Sequence, residues 1–281
     1  MINFHSQPTT HVSHVALKVK ELERSVEFYK EIIGFKILKR SVESVELTAD
    51  GKKTLLTLVN SDSFENKPSK ATGLYHFALL LPRRKDLASF LLHIASKRHP
   101  IGASDHQVSE AIYLEDPEGN GIEIYSDREP SQWNIDNNHI QMSTDPLKTE
   151  ELLNEADESW KGLPKGTVMG HIHLHVNDLK KNTDFYVKGL GFDIVLPYYN
   201  AVFLSNNGYH HHIAINTWNG ASAPVPPSNS TGLAYYTIIY GSQELLNKQL
   251  TALEKLGYEV NKKENSYIIK DPSGNTIILS V

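Results

Sequence analysis

Cysteine is absent from the 281 residues. Its absence excludes disulfides, zinc–thiolate sites, iron–sulfur clusters and a thiol nucleophile. Long hydrophobic runs are also missing. Apolar stretches such as Phe77 to Leu81 fall far short of the ~20 residues that cross a bilayer. The opening Met1-Ile2-Asn3-Phe4-His5 lacks the basic-then-apolar pattern of a secretion signal. Nor is there an excess of basic charge: 28 Lys and Arg stand against 33 Asp and Glu, a net charge of −5. Phosphate binding wants clustered basic charge, so nucleic acid is not expected as a partner. The expectation is a soluble, cytoplasmic protein without membrane or nucleic-acid partners. The composition present, 40% hydrophobic and 22% charged, is that of a globular chain, and the length suggests two domains. Histidine is unusually frequent, with 14 copies. That directs attention to metal binding and acid–base chemistry.

The chain repeats itself. His14, Phe28-Tyr29 and Gly34-Phe35 recur as His171, Phe185-Tyr186 and Gly191-Phe192, each offset by 157 residues. Thr72-Gly73-Leu74 recurs as Thr231-Gly232-Leu233, and the turn sequence Asp116-Pro-Glu-Gly-Asn120 as Asp271-Pro-Ser-Gly-Asn275. Two homologous halves result, 9–128 and 167–281. The stretch 129–166 between them holds Pro130, Pro146, Gly162, Pro164 and Gly166, and reads as a linker with one helix over 147–160.

Within the first half a second periodicity appears. Val15, Leu17 and Val19 alternate as in a strand, and Leu22, Val26, Tyr29 and Ile33 follow at helical spacing up to Gly34. Strands are predicted near 35–40, 42–48 and 53–59. The order then repeats, with a strand at 74–81, a helix at 84–98, and strands near 99–106, 110–115 and 121–125. The fold class expected is α+β, with four βαβββ modules.

His14 and His76 stand on the first strands of successive modules, and Glu123 sits between Ile122 and Ile124 in a final strand. A carboxylate among apolar neighbours is costly unless paired or metal-bound. Taken singly, each histidine also fits a polar core position, and Glu123 an edge strand facing solvent. Together, two imidazoles and one carboxylate suit a divalent transition ion and leave coordination positions open. Tyr113 lies on the strand joined to that of Glu123 by the Asp116 turn, so hairpin pairing brings the two together. His106 closes the preceding strand. A His and a Tyr beside a metal can move protons and donate hydrogen bonds to a bound anion. In the competing structural reading, Tyr113 packs in the core and His106 is exposed.

The fourfold βαβββ order and the run from His106 through Ile112-Tyr113 and Asp116-Pro-Glu-Gly119 to Glu123 resemble the vicinal oxygen chelate superfamily. That group includes glyoxalase I, bleomycin-resistance proteins and type I extradiol ring-cleaving dioxygenases. The run is close to the extradiol signature, apart from Ser104, where Gly is usual. Gly208-Tyr-His-His-His-Ile and Asn216-Thr-Trp-Asn-Gly220 add a likeness to catechol-2,3-dioxygenases of the Bacillus type. The resemblance implies two paired, glyoxalase-like half-barrel domains. It also implies Fe(II), with Mn(II) as the alternative, held by His14, His76 and Glu123. His106 and Tyr113 would be the catalytic pair, and a small aromatic diol and O2 the reactants. The oligomeric state is left open.

Well-studied two-domain extradiol enzymes carry the metal in the C-terminal half, whereas here the fuller ligand set lies in the N-terminal half. The C-terminal equivalents of His76, His106, Tyr113 and Glu123 are Tyr235, Asn261, Ile268 and Ile278. The second half therefore reads as degenerate. Its histidines His171, His173, His175, His210, His211 and His212 then form a vestigial cleft or an auxiliary surface, with a second metal site as the lesser alternative. His211 or His212 also resembles the family's acid–base histidine. The competing activities are a glyoxalase-type metal-dependent isomerase, lyase or thiol-transferase, and a metal-free drug-binding protein. The fourth ligand typical of glyoxalase I aligns near Leu56, which cannot ligate.

Overall fold

The alternation of Val12, Val15, Leu17 and Val19 puts their side chains in the core from β1 (His11–Val19). Helix α1 (Leu22–Phe28) follows, and its inward face, Leu22 and Val26, packs on the sheet. The last turn of the expected helix is wider than α-helical. Tyr29–Ile33 is π-helical because the Tyr29 carbonyl accepts from the amides of both Gly34 and Phe35. Gly34 closes it with φ at +95°. A Cβ there would lie 2.5 Å from the Gly162 backbone, so the linker can run this close only over glycine. Strands β2 (Lys36–Arg40), β3 (Ser44–Thr48) and β4 (Leu56–Asn60) complete the first module.

The remaining modules repeat the plan in the computed structural model, which describes residues 3–137, 139–157 and 159–281. The second holds β5 (Gly73–Leu80), α2 (Arg84–Ser96), β6 (Gly102–Asp105), β7 (Ser109–Glu115) and β8 (Gly121–Asp127). In the linker, Asp145–Pro146 pairs with β6, and α3 (Thr149–Leu153) is shorter than the helix expected over 147–160. Beyond α3, Glu155 and Asp157 form ion pairs with Arg84 and Lys85 of α2, which tie the segment to that helix. The third module has β9 (Val168–His175), α4 (Leu179–Asp184) with its own π turn, β10 (Asp193–Tyr198), β11 (Ala201–Ser205) and β12 (Ile213–Asn216). The fourth has β13 (Gly232–Ile239), α5 (Gln243–Lys255), β14 (Asn261–Lys263), β15 (Ser266–Lys270) and β16 (Thr276–Ser280).

The modules do not pair along the sequence halves. One sheet runs β14-β15-β16-β13-β1-β4-β3-β2 and joins the fourth module to the first. The other runs β6-β7-β8-β5-β9-β12-β11-β10 and joins the second to the third, with Asp145–Pro146 at its edge. Each sheet is thus a half-barrel with one module from each half of the chain. A continuous apolar core links both sheets and their helices. The repeat also shows in its buried anchors. Tyr29 donates to Asp116 and Tyr186 to Asp271, and each aspartate accepts the backbone amides of its own turn. Among the described residues no helix is long and apolar enough to cross a membrane.

Candidate metal centre and cavity

The site forms on the concave face of the sheet shared by the second and third modules. In β8, Ile122 and Ile124 enter the core while Glu123 and Tyr125 point the other way. In β9, Ile172 and Leu174 pack inward and leave His171, His173 and His175 on the opposite side. Strand register fixes the rest. His171 of β9 lies opposite Ala78 of β5, and Ala78 lies beside Glu123 of β8. The middle member of this row is only a methyl group, so imidazole and carboxylate can converge above it. His76, two residues away on β5, completes the group.

The Glu123 Oε2 atom lies 3.1 Å from Nε2 of His76 and 3.1 Å from Nε2 of His171, and the two Nε2 atoms are 3.3 Å apart. All three residues are buried, Glu123 to 2% exposure. Burial alone would raise the Glu123 carboxyl, but the adjacent His171 and His76 outweigh it and hold it well below the usual range. Burial lowers His171 to about 4. An ionised carboxylate and a neutral imidazole are the states that ligate a metal. Two imidazoles and one carboxylate on one side of an ion, with open space on the other, fit a divalent transition metal. Among the described residues this is the one such cluster.

His14 does not join it. In the other sheet its Nε2 lies 2.8 Å from the Thr57 hydroxyl, and its ring lies 5.5 Å from Tyr235. The expected set of His14, His76 and Glu123 is corrected here, because β1 pairs with β13 and not with β5. The places of His171, His76 and Glu123 are taken in that sheet by His14, Tyr235 and Ile278. The first sheet therefore holds the degenerate copy, and the complete one draws on both halves of the chain.

A cavity of about 310 Å³ opens over the cluster. Tyr113 lies directly opposite Glu123 across the β7–β8 hairpin, as the turn sequence implied. Its hydroxyl is 2.5 Å from Nε2 of His106, whose Nδ1 is 2.5 Å from the Ser143 carbonyl. A carbonyl only accepts, so Nδ1 carries the hydrogen, which leaves Nε2 to accept from the Tyr113 hydroxyl. Burial, then the charge of Glu123, pushes the Tyr113 hydroxyl well above its ordinary value, so it keeps its proton. His106 and Tyr113 are therefore brought together at the cavity wall.

One member of the cluster was not placed there from the sequence. His171 takes the ligand position assigned there to His14, and the 157-residue repeat that relates the two was its available signal. His211, in the loop before β12, also lines the cavity, with its ring 4.0 Å from that of His171. His173 lines it too, its Nε2 held by the Asn216 amide. Of the histidines taken for a vestige, His171 belongs to the cluster, and His173 and His211 line the cavity over it.

The sequence profile of the Glyoxalase/Bleomycin resistance protein/Dioxygenase superfamily matches residues 11–124 and 168–279. The chain belongs to this superfamily. A superfamily relative, the catechol-2,3-dioxygenase of Bacillus subtilis (strain 168), is 46% identical over 278 residues, covering 97% of each chain. A crystal structure from Bacillus subtilis superimposes with a TM-score of 0.68 over 98% of this chain and 85% of that one, at 12% identity. Glyoxalase I from Zea mays superimposes with a TM-score of 0.59, at 18% identity, over 96% and 92%. The last two likenesses concern the fold alone.

Proposed function

We propose that the chain is an Fe(II)-dependent, extradiol ring-cleaving dioxygenase acting on a catechol-type diol. The carrying observation is the three-residue cluster of His76, His171 and Glu123, open on its cavity side. The 46% identity to a catechol-2,3-dioxygenase over nearly the whole chain supports the same class. When bound, Fe(II) would bring both diol oxygens and O2 to one centre and stabilise the anions that develop there. The single negative charge of Glu123 leaves such a centre net positive, which suits a substrate bound as an anion.

The chain's own residues then have distinct tasks. Tyr113 donates from a hydroxyl that keeps its proton. His106, anchored by the Ser143 carbonyl, orients that hydroxyl and can pass a proton through it. His211 stands on the other side of the cluster, where a base can take a proton from a substrate hydroxyl. The aromatic and aliphatic walls, including Phe203, Leu196 and Trp218, give an apolar slot for a ring and exclude water.

The isomerase reading calls for a fourth donor. In the site-bearing sheet the place equivalent to Leu56 is Ile213, which faces the core, and the next residue, Ala214, which pairs with His173, carries no donor. The test is oxygen uptake by protein loaded anaerobically with Fe(II) and given catechol and substituted catechols. Uptake matched by a yellow ring-cleaved product is expected. Bound metal with no uptake on any catechol would move the assignment to a non-oxygenase of the same fold.

A further inference from the structure

Behind the cavity wall a chain of hydrogen bonds leads away from His211. Its Nδ1 lies 2.8 Å from Nδ1 of His210, and the His210 Nε2 lies 2.9 Å from Oδ1 of Asp127. The other Asp127 oxygen accepts from the Tyr209 hydroxyl at 3.0 Å, and that hydroxyl lies 2.7 Å from the hydroxyl of Tyr125. His210 is fully buried, and Asp127 is partly open to solvent.

The hydrogens in this chain follow from its far end. A carboxylate only accepts, so Nε2 of His210 must carry a hydrogen. With that single ring hydrogen, His210 has a lone pair on Nδ1. Two facing ring nitrogens make a hydrogen bond only when one of them carries the hydrogen, so Nδ1 of His211 donates. That leaves the His211 Nε2 with a lone pair, and the structure gives this atom no protein partner on the cavity side. We infer that Asp127 and His210 are positioning residues that fix His211 in its Nδ1–H tautomer, presenting a proton-accepting nitrogen to the substrate. A neutral imidazole can adopt either tautomer, and the one set here is decided by the hydrogen bond its other nitrogen makes. The kinetic consequence rests on the ring-cleaving reading above, but the tautomer does not.

The substitution Asp127→Asn separates these. An asparagine can still accept from Tyr209 while its amide donates to His210. That reverses His210, then His211, and turns an N–H into the cavity. Nitrogen-15 NMR of full-length, metal-free protein labelled at histidine reads this directly, with the His210 and His211 signals assigned by their loss in His210→Gln and His211→Gln variants. The Nδ1–H form of His211 is expected in the unsubstituted protein and in Tyr209→Phe, and the Nε2–H form in Asp127→Asn. On the Fe(II)-loaded protein, Asp127→Asn should lower kcat ~100-fold or more with bound metal unchanged, while Tyr209→Phe keeps most of it. An Nε2–H tautomer or a doubly protonated His210 in the unsubstituted protein would overturn the inference even if Asp127→Asn failed to fold. So would a tautomer unmoved by Asp127→Asn. A reversed tautomer in a protein inactive on every catechol would uphold the inference and reject the ring-cleaving function.

Discussion

His14 and His171 occupy equivalent strand positions 157 residues apart, yet His171 lies 3.1 Å from the Glu123 carboxylate while His14 lies 2.8 Å from the Thr57 hydroxyl. The same imidazole is a half-buried, hydrogen-bonding residue beside Tyr235 in one sheet and a member of the metal-type cluster in the other. What separates them is the module each strand meets.

That difference is measurable as metal content. His171→Ala and Glu123→Ala should each weaken metal binding by more than about 100-fold, beyond the loss typical of disturbing an outer partner. His14→Ala should bind a full equivalent. Metal lost in the His14 variant and kept in the His171 variant would reverse the assignment.

Tyr113→Phe removes a hydroxyl that hydrogen-bonds with His106 and lies against Glu123, and leaves all three cluster residues in place. Bound metal should stay at one equivalent while turnover falls about 10²–10⁴-fold, the usual worth of a positioned proton donor. Unchanged turnover would take Tyr113 out of the reaction.

Ala78 separates His171 from Glu123 in the strand row, and its small side chain leaves the space where the ligands converge. Ala78→Leu should fill that space. Overpacking costs about 1–3 kcal/mol, which a chain of this size can lose while still folding. Circular dichroism should show a folded protein, and metal titration should show no binding. Full binding would mean the ligands meet elsewhere.

Acid should unfold the metal-free protein early. Burial lowers His5, His14 and His171 from 6.5 to about 4, and His173, His211 and His212 well below their ordinary value. The unfolded chain therefore takes up protons first as pH falls from 6.5 toward 4. Stability present above pH 6.5 is lost across that window. Glu123, held low in the fold by its histidines, acts in the same direction. Burial raises Asp116 and Asp271, which oppose it, but they are two against seven. Melting temperature should decline steadily below pH 6.5. A flat profile down to pH 4 would contradict the burial of these imidazoles as neutral groups.

The sequence alone determined everything that depends on near neighbours along the chain. Strand alternation, helix spacing and the Asp116 turn set the four modules. The same turn places Tyr113 opposite Glu123, because a hairpin of short span can pair in few ways. Residue types at the ligand positions were legible too: His76, Glu123 and a histidine on a first strand. Which histidine was not, because an open strand edge offers generic backbone hydrogen bonds to any module that reaches it. The first strand of each odd module can pair with that of either even module, and local pattern does not choose between them. Tertiary packing joined the second module to the third and the first to the fourth. That choice put His171 and His211 beside His76 and Glu123, and left His14 facing a tyrosine.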